Sequence, residues 1–127
     1  MDSSRVATIR AGYEYFEKGD TDRLGRLFHD DAIVTDPIHN TLLKGRKAVE
    51  RLWHRSLAAV HSLVLGDMVE SGETVVVSVH HDFYADRGRL GPGVSEIHRF
   101  VFRDDRIARL EITTLDEFPD EVRSLLA

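Results

Sequence analysis

The first pattern along the chain has a helical period. Val6, Ile9, Tyr13 and Phe16 recur at spacings of three and four, which lays them on one face of a helix over residues 3–18. Asp2, Ser3 and Ser4 are candidate N-caps, and Gly19 fits a left-handed C-terminal stop. Asp20 or Thr21 then caps a short second helix carrying Leu24, Leu27 and Phe28. Gly25 inside it costs about 1 kcal/mol against Ala. Residues 32–35 predict a short strand that stops at Asp36-Pro37, because proline removes a backbone donor and disfavours helix in the residue before it. A loop is expected through Leu43. Gly45 precedes a third helix over residues 46–60, with Val49, Leu52, Trp53, Ser56, Leu57 and Val60 on its buried side.

Beyond that helix the period becomes two. Strands are expected over residues 62–70, 74–84, 94–103 and 106–115, with a turn at 85–93 marked by Gly88, Gly91, Pro92 and Gly93. Pro119 breaks the tail, and 121–127 fits one last helical turn. Successive strand residues face opposite sides, so only one row of each strand is interior. The more apolar rows are Val75, Val77, Val79, His81, Phe83; Val94, Glu96, His98, Phe100, Phe102; and Ala108, Leu110, Ile112, Thr114. That choice turns His81, His98 and Glu96 inward and His80 and Asp82 outward. Ile97 and Val101, on an outer row among charges, suit a partner sheet as well as water. Three helices followed by antiparallel strands define an α+β layout, in which a curved sheet wraps the helices and leaves a pocket at its mouth.

Composition narrows the class. The 127 residues, 42% apolar and 31% charged, read as one globular domain over 1–127 rather than a disordered chain. The absence of cysteine excludes disulfides, thiolate nucleophiles and Cys-ligated metal. A net charge of −5 is a poor footprint for phosphates, so no nucleic acid is expected as partner. No apolar run approaches the ~18 residues of a membrane span. The start, Met1-Asp2-Ser3-Ser4-Arg5, lacks the layout of a secretion signal, so a cytoplasmic location is the default expectation.

Candidate chemistry centres on the inward histidines. A lone inward imidazole is most simply a hydrogen-bonded core residue. Two of them near a carboxylate favour a site, since a buried imidazole–carboxylate pair moves both pKa values. No metal is expected: His80 and His81 are strand neighbours facing opposite sides, and His54 and His61 share a face only if the third helix reaches that far. The glycines at 88, 91 and 93 form no phosphate cradle, and Ser3, Ser4 and Ser56 have no nucleophile-elbow context. Lys44-Gly45-Arg46-Lys47 reads as a solvated helix start or a pocket rim.

The run Gly19-Asp20-Thr21-Asp22-Arg23-Leu24 … Leu27-Phe28-His29-Asp30-Asp31-Ala32-Ile33-Val34-Thr35-Asp36-Pro37, followed by Gly45, Val49 and Trp53, resembles the nuclear-transport-factor-2-like superfamily. It looks closest to the ketosteroid isomerase and SnoaL-like branch. The specific motif covers about residues 12–53, and the element order matches over nearly the whole chain. The resemblance implies a cone-shaped curved antiparallel sheet wrapped around three N-terminal helices, also described as cystatin-like. It further implies a homodimer through the convex face and an apolar pocket on the concave one. In the isomerases the Asp of Asp-Pro is the proton-shuttling base, a position held here by Asp36. Their first-helix tyrosine falls on Gly12, with Tyr13 about 100° further round the helix. Their protonated aspartic acid falls on His98, the third-helix tyrosine on Trp53, and an inward aromatic on His81.

The expected function is therefore a pocket for a small hydrophobic molecule. Its chemistry would be cofactor-free proton transfer next to a carbonyl, as in isomerisation, cyclisation or dehydration. Asp36 is the expected base, His98 the donor, and His81 an orienting group or second acid/base. Phe16, Trp53, Glu96, Phe100 and Ile112 are expected to line the pocket. Dehydration has added weight because the paired histidines resemble the scytalone-dehydratase branch. The alternative is a non-catalytic ligand-binding or dimerisation module on the same fold.

Overall fold

A computed structural model of the protein describes residues 3–36, 41–83 and 93–115. The expected turn at 85–93, apart from Gly93, and the expected helical turn at 121–127 lie outside the described residues. Caps set the first two helices. Helix α1 (Ser4–Glu17) begins where Ser3 Oγ accepts from the Val6 N–H, and α2 (Thr21–Arg26) where the Asp20 carboxylate accepts from the Arg23 N–H. The apolar stripe of α1 is buried at Ile9, Gly12, Tyr13 and Phe16. Gly25 in α2 has a packing reason: a Cβ there would lie 2.6 Å from Glu50 Oε1 on the third helix. The small residue lets the two helices approach.

Strand β1 (Phe28–Asp36) is longer than the expected strand and forms a hairpin with β2 (Thr41–Lys44), where a loop was expected. Gly45, at φ 94°, then turns the chain into α3 (Arg46–Ala59), and its N–H donates to the Ala32 carbonyl at 2.8 Å. Next come β3 (Val60–Ser71), β4 (Thr74–Phe83), β5 (Val94–Arg103) and β6 (Arg106–Thr114). Residue 61 already belongs to β3, so His54 and His61 share no helix face.

The strands form one six-stranded sheet in the order β2-β1-β6-β5-β4-β3. Four of the five neighbouring pairs are antiparallel, but β1 and β6 run parallel, with Val34 opposite Leu110. This corrects the expected architecture. The sheet is mixed rather than antiparallel, and it is open, with β2 and β3 as its edges, not curled into a cone. The physical reason is topological. The β3-to-β6 meander returns the last strand beside the first, and a long-range pairing of this kind leaves no trace in the period-two pattern, which reports faces rather than neighbours.

The helices cover one face of the sheet. Val34, Val75, Val77, Val79, Phe102 and Leu110 are at most 2% exposed and form the centre of the core with Ile9 and Phe28. The expected inner rows of β4 and β5 are buried as far as they are described. In β6 a register shift between Val101 and Phe102 brings Ile107 inside, while Ala108, expected inside, is only half-buried. No helix among the described residues is long and apolar enough to cross a membrane.

Candidate functional site

The sheet register brings three polar side chains together on the covered face. His81 pairs with Val94 and Val79 with Glu96, so His81 and Glu96 are diagonal neighbours across β4 and β5. Glu96 and His98 are two apart on β5 and therefore share a face. One carboxylate oxygen, Glu96 Oε1, lies 2.8 Å from His81 Nε2 and 2.9 Å from His98 Nε2. The other ring nitrogen of His98, Nδ1, lies 2.7 Å from the Tyr13 hydroxyl of α1. His81, Glu96, His98 and Tyr13 are all buried.

The ionisation states follow from this arrangement. Burial pushes the Glu96 carboxyl up, but the hydrogen bonds and charges of His81 and His98 outweigh it and leave a pKa of about 2. Burial holds His98 below its ordinary value, against the pull of Glu96. Burial and the nearby Glu96 charge keep the Tyr13 phenol well above its ordinary value. The chain of protons then has one direction. The Tyr13 O–H donates to Nδ1 of a neutral His98, and Nε2–H of both imidazoles donates to an ionised Glu96.

Asp36 ends β1 on the same face. It lies two residues beyond Val34, which pairs with Leu110, while Ile112 pairs with His98. Asp36 and His98 thus stand on either side of Ile112, about two strand spacings or 10 Å apart at the backbone. The carboxylate is 3% exposed, and its Oδ2 lies 3.5 Å from an Arg55 guanidinium nitrogen.

A cavity of about 80 Å³ joins these groups. Asp36, His81, Glu96 and His98 line it, as do Phe16, Trp53, Phe100 and Ile112, so every site residue singled out in the sequence reaches one hollow. Trp53 packs against Phe16 with ring centroids 5.9 Å apart and nearly perpendicular planes. Tyr13 and Arg55 are among the lining residues that the sequence reading does not place in the site. The resemblance points to Gly12 for the first-helix tyrosine, yet both positions are buried on α1. The place of Tyr13 on the apolar stripe of that helix was the available signal. Arg55 carried no signal, since a half-exposed arginine on a polar stretch of helix looks like any solvated charge.

His81, Glu96 and His98 are the described residues that could hold a metal ion, with ligand atoms within 4.8 Å of one another. For that, each imidazole Nε2 would have to give up its proton donation to Glu96. In the geometry present, one carboxylate oxygen accepts both N–H groups.

Residues 9–110 match the SnoaL-like domain family. The chain belongs to that family, within the nuclear-transport-factor-2-like superfamily. No curated protein sequence gives a significant match. Among solved structures, an NTF2-like protein of unknown function from Burkholderia pseudomallei is 21% identical, with TM-score 0.77 over 89% of this chain and 92% of that one. A steroid delta-isomerase from Pseudomonas aeruginosa is 22% identical, with TM-score 0.74 over 99% and 88%. A proposed polyketide cyclase from Sinorhizobium meliloti is 26% identical, with TM-score 0.71 over 88% and 100%. The fold is thus one shared with a steroid delta-isomerase and a proposed polyketide cyclase, and here it holds an apolar cavity and a buried His–Glu cluster.

The cluster predicts an acid response with a definite sign. His98 and Glu96 both have folded-state values below their unfolded ones, so each stabilises the fold above its unfolded pKa and loses that contribution as pH falls. The loss begins below about 6.5 through His98 and continues from 4.5 towards about 2 through Glu96. A depression the size of that at Glu96 is worth on the order of 3 kcal/mol. Urea denaturation across this range should show Glu96→Gln less stable than wild type at neutral pH and losing less between pH 4.5 and 2. Parallel pH curves for the two proteins would contradict the assignment.

Proposed function

We propose that this chain, as one domain over residues 1–127, binds a small hydrophobic carbonyl compound and moves a proton on the carbon next to that carbonyl without a cofactor. The observation that carries this reading is the shared apolar cavity. Asp36 opens onto it from one side and the Tyr13–His98–Glu96–His81 chain from the other. A ligand lying over Ile112 meets a carboxylate at one end and a hydroxyl at the other.

Asp36 acts as the base that takes the proton from carbon and returns it at another position. His98 acts as the donor to the developing enolate oxygen through Tyr13, because both its ring nitrogens are engaged. The Tyr13 O–H turns from Nδ1 to the ligand oxygen and hydrogen-bonds the enolate, while the one proton that moves is carried by Asp36. Glu96 holds His98 in place through Nε2–H, and His81 orients Glu96. Phe16, Trp53, Phe100 and Ile112 supply the flat apolar walls. The likeness in fold to a steroid delta-isomerase and to a proposed polyketide cyclase supports isomerisation or cyclisation as the class.

A second reading, a ligand-binding module without catalysis, rests on the closure of the same network: Glu96 and His98 satisfy one another and Tyr13 with no ligand needed. The outer face of the sheet supports a homodimer. Ile97 and Val101 are half-buried there, and Val64 and Val69 on the edge strand β3 are 59% and 62% exposed.

Hydrogen–deuterium exchange at the α-carbon of trial ketones separates the two readings. Asp36→Asn should slow exchange by roughly 10²–10⁴-fold. Equal rates in the two proteins would remove Asp36 as a base and leave the module. For the dimer, sedimentation should give about twice 14.4 kDa, and a clean monomer would contradict it.

A further inference from the structure

The two walls of the cavity differ in the polar atoms they present. The strand wall is rich in acceptors, with the ionised Glu96 at its centre. The helical wall, α3, carries donors. Trp53 Nε1 and Arg55 Nε are both buried, and neither has a hydrogen-bond acceptor among the described residues. Both side chains line the cavity. A second guanidinium nitrogen of Arg55 reaches Asp36 Oδ2 only at 3.5 Å, the outer limit of an ion pair with hydrogen-bonding character. A guanidinium has five N–H donors in a planar fork that matches two oxygens of an acid. Nε itself is closed off from water, but the Arg55 side chain is 39% exposed, so the remaining N–H groups of the fork are the ones an acid reaches.

We infer that the ligand is an organic acid: a flat apolar body with a carboxylate, or an equivalent delocalised pair of oxygens, bound at Arg55 on the α3 side of the cavity. The inference rests on the pocket reading above and adds the charge and orientation of the molecule. The acid group sits at Arg55, whose positive charge offsets the repulsion from Asp36, and away from Glu96, beside which no Lys or Arg is among the described lining residues. The apolar body lies against Phe16, Trp53 and Phe100. Asp36 competes with the ligand for Arg55, and its 3.5 Å contact is loose enough to yield to a better-matched acid.

Calorimetric titration with 1-naphthoate and its neutral isostere 1-naphthamide tests this on the full chain, without knowledge of the natural ligand. Wild type should bind the carboxylate at least about tenfold more tightly than the amide. Asp36→Asn should widen the preference for naphthoate over naphthamide, because it removes both the competitor for Arg55 and a nearby negative charge. Adding Arg55→Gln to Asp36→Asn should abolish the preference. Arg55 is 39% exposed, so this change leaves the core intact. Equal affinities for the two probes, or a preference that survives in the double variant, would overturn the acid assignment and leave the pocket standing. No binding of either probe would overturn the pocket reading and the acid assignment together.

Discussion

One buried carboxylate organises this molecule. Glu96 sits under the helices where an unpaired charge would be prohibitively costly, and two imidazole N–H groups converge on a single one of its oxygens. The consequences pass outward along the hydrogen bonds. With Nε2–H committed to Glu96, a neutral His98 has only Nδ1 left as an acceptor, and that fixes the direction of the Tyr13 hydroxyl. The tautomer, the ring orientation and the polarity of the group nearest the cavity are therefore set by a residue that need not touch the ligand.

The sheet provides the geometry that makes this arrangement useful. Because β6 runs parallel to β1 and antiparallel to β5, it places Ile112 between Asp36 and His98 on one face. The Asp36 carboxylate and the His98 imidazole are held on either side of Ile112 rather than side by side. The cavity between them has an anionic strand wall and a donor-bearing helical wall, so it favours an oriented ligand over a merely greasy one.

Much of this was legible in the residues. Period-two alternation turned His81, Glu96 and His98 to one side before any strand order was known, because a face is a local property of a strand. The apolar stripe of the first helix likewise carried Tyr13 inward. Neighbourhood was not legible. The parallel β1–β6 pair joins residues far apart in sequence, and β2 is four residues with three of them exposed, so it shows no alternation to read. The resemblance to the isomerases pointed to the fold family and to Asp36, which lines the cavity, but it drew attention to Gly12 and away from the tyrosine beside it. Arg55 was invisible for a different reason: its role depends on which atoms of a partly exposed side chain are buried, and sequence pattern holds no information at that level.

The tautomer of His98 is the most direct test of this account. In a protein labelled with ¹⁵N-histidine, long-range proton–nitrogen correlation at pH 7 distinguishes protonated from unprotonated ring nitrogens. His98 is expected to be neutral, with the proton on Nε2 and an unprotonated Nδ1 that senses the loss of its donor in Tyr13→Phe. A proton resident on Nδ1 at that pH, or a doubly protonated ring, would contradict the direction of the whole chain from Tyr13 to Glu96.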